Sequence, residues 1–216
     1  MKFLATETEL LCLERSKWAE GFSFVAGIDE VGRGPLAGPV VAAAVVLPRD
    51  TPLPAVNDSK LLSEARRREL AAAIRELPGV DYGIAEVSVE EVDRLNILQA
   101  THLAMRLAVG KLRRADFLLI DGRPVRQMPG PALAVVKGDR KSASIAAASI
   151  LAKVYRDERM VRYGMEFPGY GFEEHKGYGT AQHLAALRRL GVTPIHRRSF
   201  APVRELLATA EQMTLL

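Results

Sequence analysis

The feature that most constrains the fold of this chain is a short apolar run between two prolines. Residues 40–47 read Val-Val-Ala-Ala-Ala-Val-Val-Leu and are bounded by Pro39 and Pro48. A near-continuous apolar run of this length, rich in Val and Ala, is typical of a strand that is buried on both faces of a sheet. The run is far shorter than the roughly 20 residues that cross a bilayer. The sequence therefore predicts a globular protein built around a central sheet.

Further strands alternate with helices along the chain. Hydrophobic pattern, turn residues and capping residues predict strands at 22–31, 39–47, 80–87, 116–120 and 131–136, and helices at 4–20, 64–77, 88–112, 142–162, 180–190 and 202–210. This order predicts the α/β class, with a central mixed β-sheet flanked by helices. Few strand signals follow residue 165. We therefore expect a main domain over 1–165 and a small helical C-terminal extension over 166–216 that packs on it.

Composition limits the partners of the protein only weakly. The 216 residues carry a formal net charge of +4 and a pI near 9.3, which permits a nucleic-acid partner without requiring one. Cys12 is the single cysteine and excludes an intrachain disulfide, as is usual in a reducing cytoplasm. The N-terminus becomes acidic at Glu7 before any apolar segment develops, unlike a signal peptide. We expect a cytoplasmic protein that does not enter a membrane.

Acidic residues follow three of the predicted strands. Asp29 and Glu30 close the first strand, Asp121 ends the strand at 116–120, and Asp139 follows the strand at 131–136. Acids are costly to bury unless they are paired or bound to a metal, and a divalent cation such as Mg²⁺ or Mn²⁺ prefers their oxygen ligands. Taken singly, each acid is explained as well by a turn or a helix cap, for example Asp139 ahead of a helix. Taken together, the acids favour a metal site and phosphoryl chemistry.

Two glycine-rich segments carry the next candidates. Residues 32–38, Gly-Arg-Gly-Pro-Leu-Ala-Gly, match neither a dinucleotide-binding fingerprint nor a P-loop. Their glycines would let the backbone approach a sugar hydroxyl, which is one way to tell RNA from DNA, and a plain tight turn is the alternative. Tyr170 and Tyr178 lie among glycines and are candidates for stacking on a sugar or base. The alternative, stronger for Tyr170, is an aromatic residue that anchors a turn.

The histidines and the arginine pairs are weaker candidates. The four histidines, at positions 102, 175, 183 and 196, have no zinc-site spacing, so we expect surface or hydrogen-bonded side chains. Basic clusters occur at 66–68, 113–114, 188–189 and 197–198. Charge on helix surfaces explains most of these clusters, and some of them could contact phosphate.

A longer sequence pattern is specific to one family of proteins. Residues 27–40, Gly-Ile-Asp-Glu-Val-Gly-Arg-Gly-Pro-Leu-Ala-Gly-Pro-Val, resemble the signature of the type 2 ribonucleases H, specifically bacterial ribonuclease HII. The resemblance continues in the same order through the blocks at 57–60, 95–101, 119–122, 137–139, 144–154 and 169–180. It covers most of residues 25–200. It implies an RNase H-like fold with a central mixed sheet and a helical C-terminal extension.

The resemblance also implies an activity and its residues. The activity is endonucleolytic cleavage of RNA in RNA–DNA hybrids and on the 5′ side of single ribonucleotides in duplex DNA, with Mn²⁺ or Mg²⁺, leaving 3′-hydroxyl and 5′-phosphate ends. The implied catalytic and metal-binding residues are Asp29, Glu30, Asp121 and Asp139. The implied substrate-binding residues are Gly32, Arg33 and Gly34 at the ribose 2′-hydroxyl and Tyr178 at the ribose–deoxyribose junction. We also expect Lys60 on the basic substrate-binding surface.

Two other functions explain part of these features. A non-catalytic protein that binds RNA–DNA hybrids would account for the charge and the glycine–tyrosine loops, but not for acids at several strand ends. A metal-dependent phosphatase would share the acids but would not need a basic surface. The C-terminal residues Glu211-Gln212-Met213-Thr214-Leu215-Leu216 fit a short peptide that binds a sliding clamp and, more simply, a frayed helix end.

Overall fold

The computed structural model describes residues 10–49 and 62–214, and it describes side chains as far as residue 209. The strands are β1 Val25–Val31, β2 Val40–Val46, β3 Asp81–Val87, β4 Phe117–Asp121 and β5 Ala132–Val135. They form one sheet in the order β3-β2-β1-β4-β5. β3, β2 and β1 pair antiparallel, whereas β1, β4 and β5 pair parallel. The prediction of an α/β protein with a mixed sheet is confirmed.

Helices flank the sheet and follow it. They are α1 Cys12–Ala19, α2 Glu64–Glu76, α3 Val89–Leu95, α4 Ile97–Val109, α5 Ala143–Glu166, α6 Phe172–His175, α7 Ala181–Leu190 and α8 Ala201–Thr214, with a 3₁₀ turn at Gly138–Arg140. The hydroxyls of Ser63, Ser88 and Thr180 accept hydrogen bonds from backbone N–H groups in the first turns of α2, α3 and α7. The sequence did not predict the single turn of α6.

The prediction of one helix over 88–112 is wrong, because the chain breaks at Asn96. Its backbone has φ 68° and ψ 160°, outside the helical region. The Asn96 side-chain oxygen accepts from the N–H groups of Leu98 and Gln99 at 3.0 and 3.1 Å and so caps a second helix. Asparagine tolerates positive φ better than most residues do and caps helices well. The break starts α4 at the end of the sheet where the acids lie.

β2 is buried on both faces, as its apolar run predicts. Val41, Ala43 and Val45 pack towards α2 and α5, while the alternate residues Val40 and Ala42 pack towards α4. All five side chains are fully buried. Strand side chains alternate between faces, so one strand serves two hydrophobic cores.

The C-terminal helices pack on the loop that precedes β2 and on α5. Phe172 is fully buried in a cluster with Ala37 and Met160, and Leu36 packs with Leu187 and Val203. The division into units 1–165 and 166–216 stays a prediction. Across the described ranges, no helix has both the length and the apolar character needed to cross a membrane.

Candidate functional site

Three of the predicted acids meet at one end of the sheet. Ile28 of β1 pairs with Ile120 of the parallel β4, so the next residues, Asp29 and Asp121, lie side by side. Ile28 and Ile120 pack on the α4 face. By alternation, Asp29 and Asp121 therefore face α5, and Glu30 faces α4. The acids thus occupy both faces of the sheet where β1 and β4 end.

Asp29 is a buried carboxylate among like charges. Its Oδ1 accepts from the backbone N–H of Glu30 at 2.7 Å, and the Ser149 side chain on α5 hydrogen-bonds to the carboxylate. Burial raises the pKa of Asp29 well above its usual range, and the charges of Glu30 and Asp121 raise it further. The two hydrogen bonds act in the opposite direction but are the weaker influences. A nearby cation would stabilise the ionised form.

Glu30 is paired with the arginine of the glycine-rich turn. Arg33 Nη1 lies 3.2 Å from Glu30 Oε1. Burial raises the pKa of Glu30, and the Arg33 charge partly opposes this shift. Glu30, Arg33, Thr101, His102 and Asp121 line the same cavity of 260 Å³. Two of the acids, Glu30 and Asp121, therefore open onto a cleft that also contains a basic side chain.

Asp139 reaches the site through the 3₁₀ turn after β5. The backbone N–H of Gly138 donates to Asp121 Oδ1 at 2.6 Å, and Asp139 itself is buried. Asp139 is not the cap of α5, because the Ser142 hydroxyl accepts from the N–H of Ile145 at 3.1 Å. The helix-cap explanation of Asp139 is therefore wrong.

The four acids have the chemistry of a metal site but are not drawn together around one point. Within residues 10–49 and 62–214, no group of three or more His, Cys, Asp or Glu side chains is arranged to hold a metal ion. Asp29, Glu30 and Asp121 are close enough to alter one another's charge, and Asp139 is tied to Asp121 through Gly138. Carboxylate oxygens are the donors that a hard divalent cation prefers, so the donor set fits Mg²⁺ or Mn²⁺.

The glycine-arginine-glycine turn follows the acids directly. Gly32 has φ +91°, and a Cβ at this position would lie 2.2 Å from Arg156 Nε. No larger residue fits there without moving Arg156. Arg197 donates from Nη2 to the Gly32 carbonyl oxygen and from Nη1 to that of Arg33 at 3.0 Å. The guanidinium group of Arg197 therefore stabilises the backbone of the turn.

Two arginines that support the site are fully buried. Surface charge, which was expected to explain most of the basic clusters, does not explain Arg197. Arg156 donates to the carbonyl oxygens of Pro39, Ala37 and Lys176 at 3.0 to 3.1 Å. Burial lowers the pKa of Arg156 to about 10 and that of Arg197 to about 9. Sequence reasoning missed both roles, since a basic pair at 197–198 was the only signal and nothing marked Arg156.

Tyr178 lies against the turn, and Tyr170 does not reach it. Tyr178 is 44% exposed, and its Cε1 is 3.7 Å from the position that a Cβ on Gly34 would occupy. The neighbouring Gly177 carbonyl accepts from the Leu36 N–H at 2.8 Å. Tyr170 is buried, and its hydroxyl donates to the Gly191 carbonyl at 2.7 Å. Tyr170 therefore anchors a turn, and only Tyr178 is free to meet a ligand.

The histidines divide between the cleft and a buried cluster. His175, His183 and His196 lie together and are hydrogen-bonded, which confirms the expectation for these three. His102 lies in the cleft with a buried Nδ1 that has no hydrogen-bond partner. The spacing of the histidines did not predict the cluster. Lys60 and the rest of the block at 57–60 lie outside the described residues.

Comparison with known proteins identifies the family. Residues 26–203 match the family model described as Ribonuclease HII. The chain belongs to the ribonuclease HII family. A ribonuclease HII from Rhodospirillum rubrum is 59% identical over 189 residues, covering 85% of this chain and 87% of that protein. This identity over most of both chains agrees with the signature found at residues 27–40.

Solved structures agree with the family assignment. A ribonuclease H2 from Pyrococcus horikoshii has a TM-score of 0.73 and 26% identity, covering 85% of this chain and 97% of that one. A structure of the PCNA:RNase HII complex from Archaeoglobus fulgidus contains a chain with a TM-score of 0.68 and 27% identity, covering 82% of this chain and 95% of that one. The RNase H-like fold is confirmed.

The family decides between the three functions considered from the sequence. The protein is an enzyme, a metal-dependent ribonuclease H that acts on RNA–DNA hybrids. This excludes a binding protein without catalytic activity. It also excludes a phosphatase of small substrates as the main function.

Proposed function

We propose that this enzyme cuts the RNA strand of RNA–DNA hybrids and also cuts on the 5′ side of single ribonucleotides in duplex DNA, leaving 3′-hydroxyl and 5′-phosphate ends. One observation carries the proposal. Arg33 pairs with Glu30 at 3.2 Å, and the Tyr178 ring lies against Gly34. Glu30, the glycine-rich turn and an exposed aromatic ring therefore follow one another in space, and one ribonucleotide is proposed to contact all three.

The catalytic centre in this proposal is the set of four acids with a divalent cation, Mg²⁺ or Mn²⁺. The raised pKa of Asp29 supports it, because burial and then repulsion from Glu30 and Asp121 disfavour the ionised carboxylate, and a cation would offset both effects. Asp29, Glu30, Asp121 and Asp139 would hold the cation, which would supply an activated water for attack on phosphorus and stabilisation of the departing 3′ oxygen. The chain keeps the carboxylates oriented: Ser149 and the Glu30 N–H hold Asp29, and the Gly138 N–H holds Asp121.

In this proposal, the turn at Gly32, Arg33 and Gly34 distinguishes ribose from deoxyribose. Its support is the buried guanidinium of Arg197, which binds the carbonyl oxygens of Gly32 and Arg33. These contacts fix the peptide planes before a substrate arrives, and a preorganised backbone loses little entropy on binding. A rigid turn can therefore hydrogen-bond to a 2′-hydroxyl, whereas a deoxyribose leaves the same backbone groups without a partner.

In this proposal, basic side chains around the cleft bind the phosphate backbone of the substrate. Arg123 lines the cleft. The pKa of His102, which also lines it, is lowered mainly by burial and then by the positive charges of Arg106, Arg33 and Arg126. Several positive charges therefore surround this cavity. Lys60 is proposed to extend this surface, from a segment outside the described residues.

A sliding clamp is a further proposed partner. The archaeal relative is described in a complex with PCNA, and the last residues of this chain, 211–216, contain a glutamine followed by apolar residues. The backbone of α8 is helical as far as Thr214, so a helix end remains the competing explanation. Binding of a purified bacterial clamp to the enzyme, with and without residues 211–216, distinguishes the two.

The test of the main proposal uses a 5′-labelled DNA duplex that contains one ribonucleotide, with Mg²⁺ or Mn²⁺. We expect a single cut on the 5′ side, and a product with a 3′-hydroxyl that a polymerase extends without prior treatment. An all-RNA strand paired with DNA is the positive control. Cleavage of that hybrid without any cut in the single-ribonucleotide duplex would refute the finer proposal while leaving the family activity intact.

A further inference from the structure

A buried pair of histidines lies directly behind Tyr178. His183 and His196 are almost completely inaccessible, and their Nε2 atoms are 3.0 Å apart. His183 Nδ1 is 2.9 Å from the carbonyl oxygen of Tyr178. At the other end, the Thr193 N–H donates to His196 Nδ1 at 3.0 Å. The rings thus connect the segment after α7 to the backbone of the residue that is proposed to contact substrate.

Only one placement of protons satisfies all these contacts. His196 Nδ1 accepts from the Thr193 N–H and lies 2.8 Å from the Thr193 hydroxyl, which can also donate to it. This nitrogen therefore carries no proton, and the ring proton is on Nε2. His196 Nε2–H then donates to His183 Nε2, which must also lack a proton. The His183 proton is therefore on Nδ1 and donates to the Tyr178 carbonyl, which can only accept. The chain of hydrogen bonds runs in one direction and requires both rings to be neutral.

We propose that His183 and His196 are positioning residues for Tyr178, acting through this directed chain of hydrogen bonds to its carbonyl oxygen. The proposal rests on the proposed function of Tyr178 as a substrate contact. Tyr178 is 44% exposed, so the place of its ring depends strongly on its backbone. That backbone is held on both sides, since the Tyr178 N–H donates to the His175 carbonyl and the Tyr178 carbonyl accepts from His183.

A third histidine stabilises the same segment. His175 stacks on His183 with ring centroids 4.5 Å apart, and its Nδ1 accepts from the Gly177 N–H at 3.2 Å. A Cβ on Gly177 would lie 2.5 Å from the Ala37 carbonyl oxygen, so the segment fits closely against the loop that precedes β2. The histidines therefore hold Tyr178 next to Gly34 rather than merely filling space beneath it.

The chain of hydrogen bonds is tested without substrate by nitrogen-15 NMR of the histidine rings at pH 7. We expect the proton of His183 on Nδ1 and that of His196 on Nε2, with a scalar coupling between the two Nε2 nuclei across the hydrogen bond. A His183 ring that is protonated on Nε2, or a charged imidazolium in either ring at this pH, would overturn the proposal.

The effect on substrate is tested with two replacements of His183. His183→Asn places its amide nitrogen near the position of Nδ1 and keeps the donor, whereas His183→Leu keeps the bulk and loses the donor. Loss of one hydrogen bond predicts a fall of about five- to tenfold in kcat/KM on the single-ribonucleotide duplex, relative to the all-RNA hybrid, for Leu and much less for Asn. Thermal melting of both variants reports whether they fold.

Tyr178→Ala separates failure of this inference from failure of the proposed function. The substrate ratio is kcat/KM on the single-ribonucleotide duplex divided by kcat/KM on the all-RNA hybrid. We expect His183→Leu to lower this ratio in the wild-type background and to cause no further change in the Tyr178→Ala background. If Tyr178→Ala changes the ratio and His183→Leu does not, the positioning role is overturned and the role of Tyr178 stands. If Tyr178→Ala itself leaves the ratio unchanged, the role of Tyr178 fails and the positioning role fails with it.

Discussion

The backbone N–H of Gly138 donates to Asp121 Oδ1 at 2.6 Å. This bond joins Asp121 at the end of β4 to the residue before Asp139, in the 3₁₀ turn after β5. A Cβ on Gly138 would lie 2.6 Å from the Ile145 side chain and 3.2 Å from Asp121 Oδ1, so a larger residue here would require Ile145 to move. Two of the four proposed metal ligands are therefore placed by one backbone contact.

Replacing the acids by their amides should abolish cleavage and leave the fold intact. Asp29→Asn and Asp121→Asn remove a ligand charge but keep the side-chain shape, and losing one such electrostatic contribution costs on the order of a hundredfold or more in rate. Single-turnover assays in Mg²⁺ and in Mn²⁺ measure the loss. Asp116→Asn is the control, because Asp116 accepts from the N–H groups of Ser23 and Phe24 at the other end of β4. Near-full activity in either amide variant would remove that residue from the catalytic set.

Binding of a hybrid should weaken steeply as salt is added. Each phosphate that a basic side chain neutralises contributes a slope of about −0.9 to the logarithmic plot of affinity against salt for duplex DNA. Arg123→Ala should make the slope shallower by about one unit, because Arg123 lines the cleft. Arg66→Ala should leave the slope unchanged, because Arg66 lies on α2 and pairs with Glu69. Titrations with Ca²⁺ in place of Mg²⁺ avoid cleavage, and equal slopes for the two variants would refute the role of Arg123.

Tyr178 should distinguish a ribose–deoxyribose junction from continuous RNA. Stacking of an aromatic ring contributes about 1–3 kcal/mol, so Tyr178→Ala should lower kcat/KM on the single-ribonucleotide duplex more than on the all-RNA hybrid. Tyr178→Phe keeps the ring and should retain much of the activity. The exposed Tyr82 on β3 offers a matched control, and Tyr82→Ala should leave the ratio unchanged. An equal loss on both substrates in Tyr178→Ala would make Tyr178 a general contact.

Acid should destabilise the protein through the buried histidines. Burial lowers the pKa of His196 to about 4, and it also lowers the pKa of His183. Between the unfolded value near 6.5 and the folded value, the unfolded chain binds more protons, so stability falls as the pH falls through this window. The fall is about 1.4 kcal/mol per pH unit for each proton.

A non-titrating replacement isolates the contribution of His196. His196→Gln should have a lower free energy of unfolding at pH 7 but a shallower decline towards pH 4.5 than the wild type. Urea denaturation at half-unit pH steps measures both free energies. A constant difference between the two proteins across this range would contradict the assigned pKa of His196.

Arg197 should be needed as an arginine and not only as a cation. Its guanidinium binds the carbonyl oxygens of Gly32, Arg33 and Gly38, and the single ammonium of lysine cannot reach all three. Arg197→Lys should lower the free energy of unfolding by about 3 kcal/mol, or the melting temperature by roughly 6–12 °C. The exposed neighbour is the control, and Arg198→Lys should change the melting temperature little. Similar melting temperatures for the two variants would show that the buried contacts contribute little.

The sequence determined the features that depend on local pattern. Alternating strands and helices predict the layered sheet, and the apolar run at 40–47 predicts a strand buried on both faces. The acids follow apolar strands, and the ends of neighbouring parallel strands meet, so the proximity of Asp29 and Asp121 is predictable. The family signature at residues 27–40 is equally local, and it implies the activity on RNA–DNA hybrids without reference to the fold.

Only the tertiary structure decided what supports those residues. Arg197 binds carbonyl groups 159 to 165 residues earlier in the chain, and no local pattern distinguishes it from its exposed neighbour Arg198. The buried hydrogen bond between His183 and His196 was hidden for the same reason. The break at Asn96, by contrast, rests on a local cap, which the helical pattern over 88–112 concealed. The physical cause is that burial and hydrogen-bond partners depend on distant segments, whereas strand and helix periodicity depends on near neighbours.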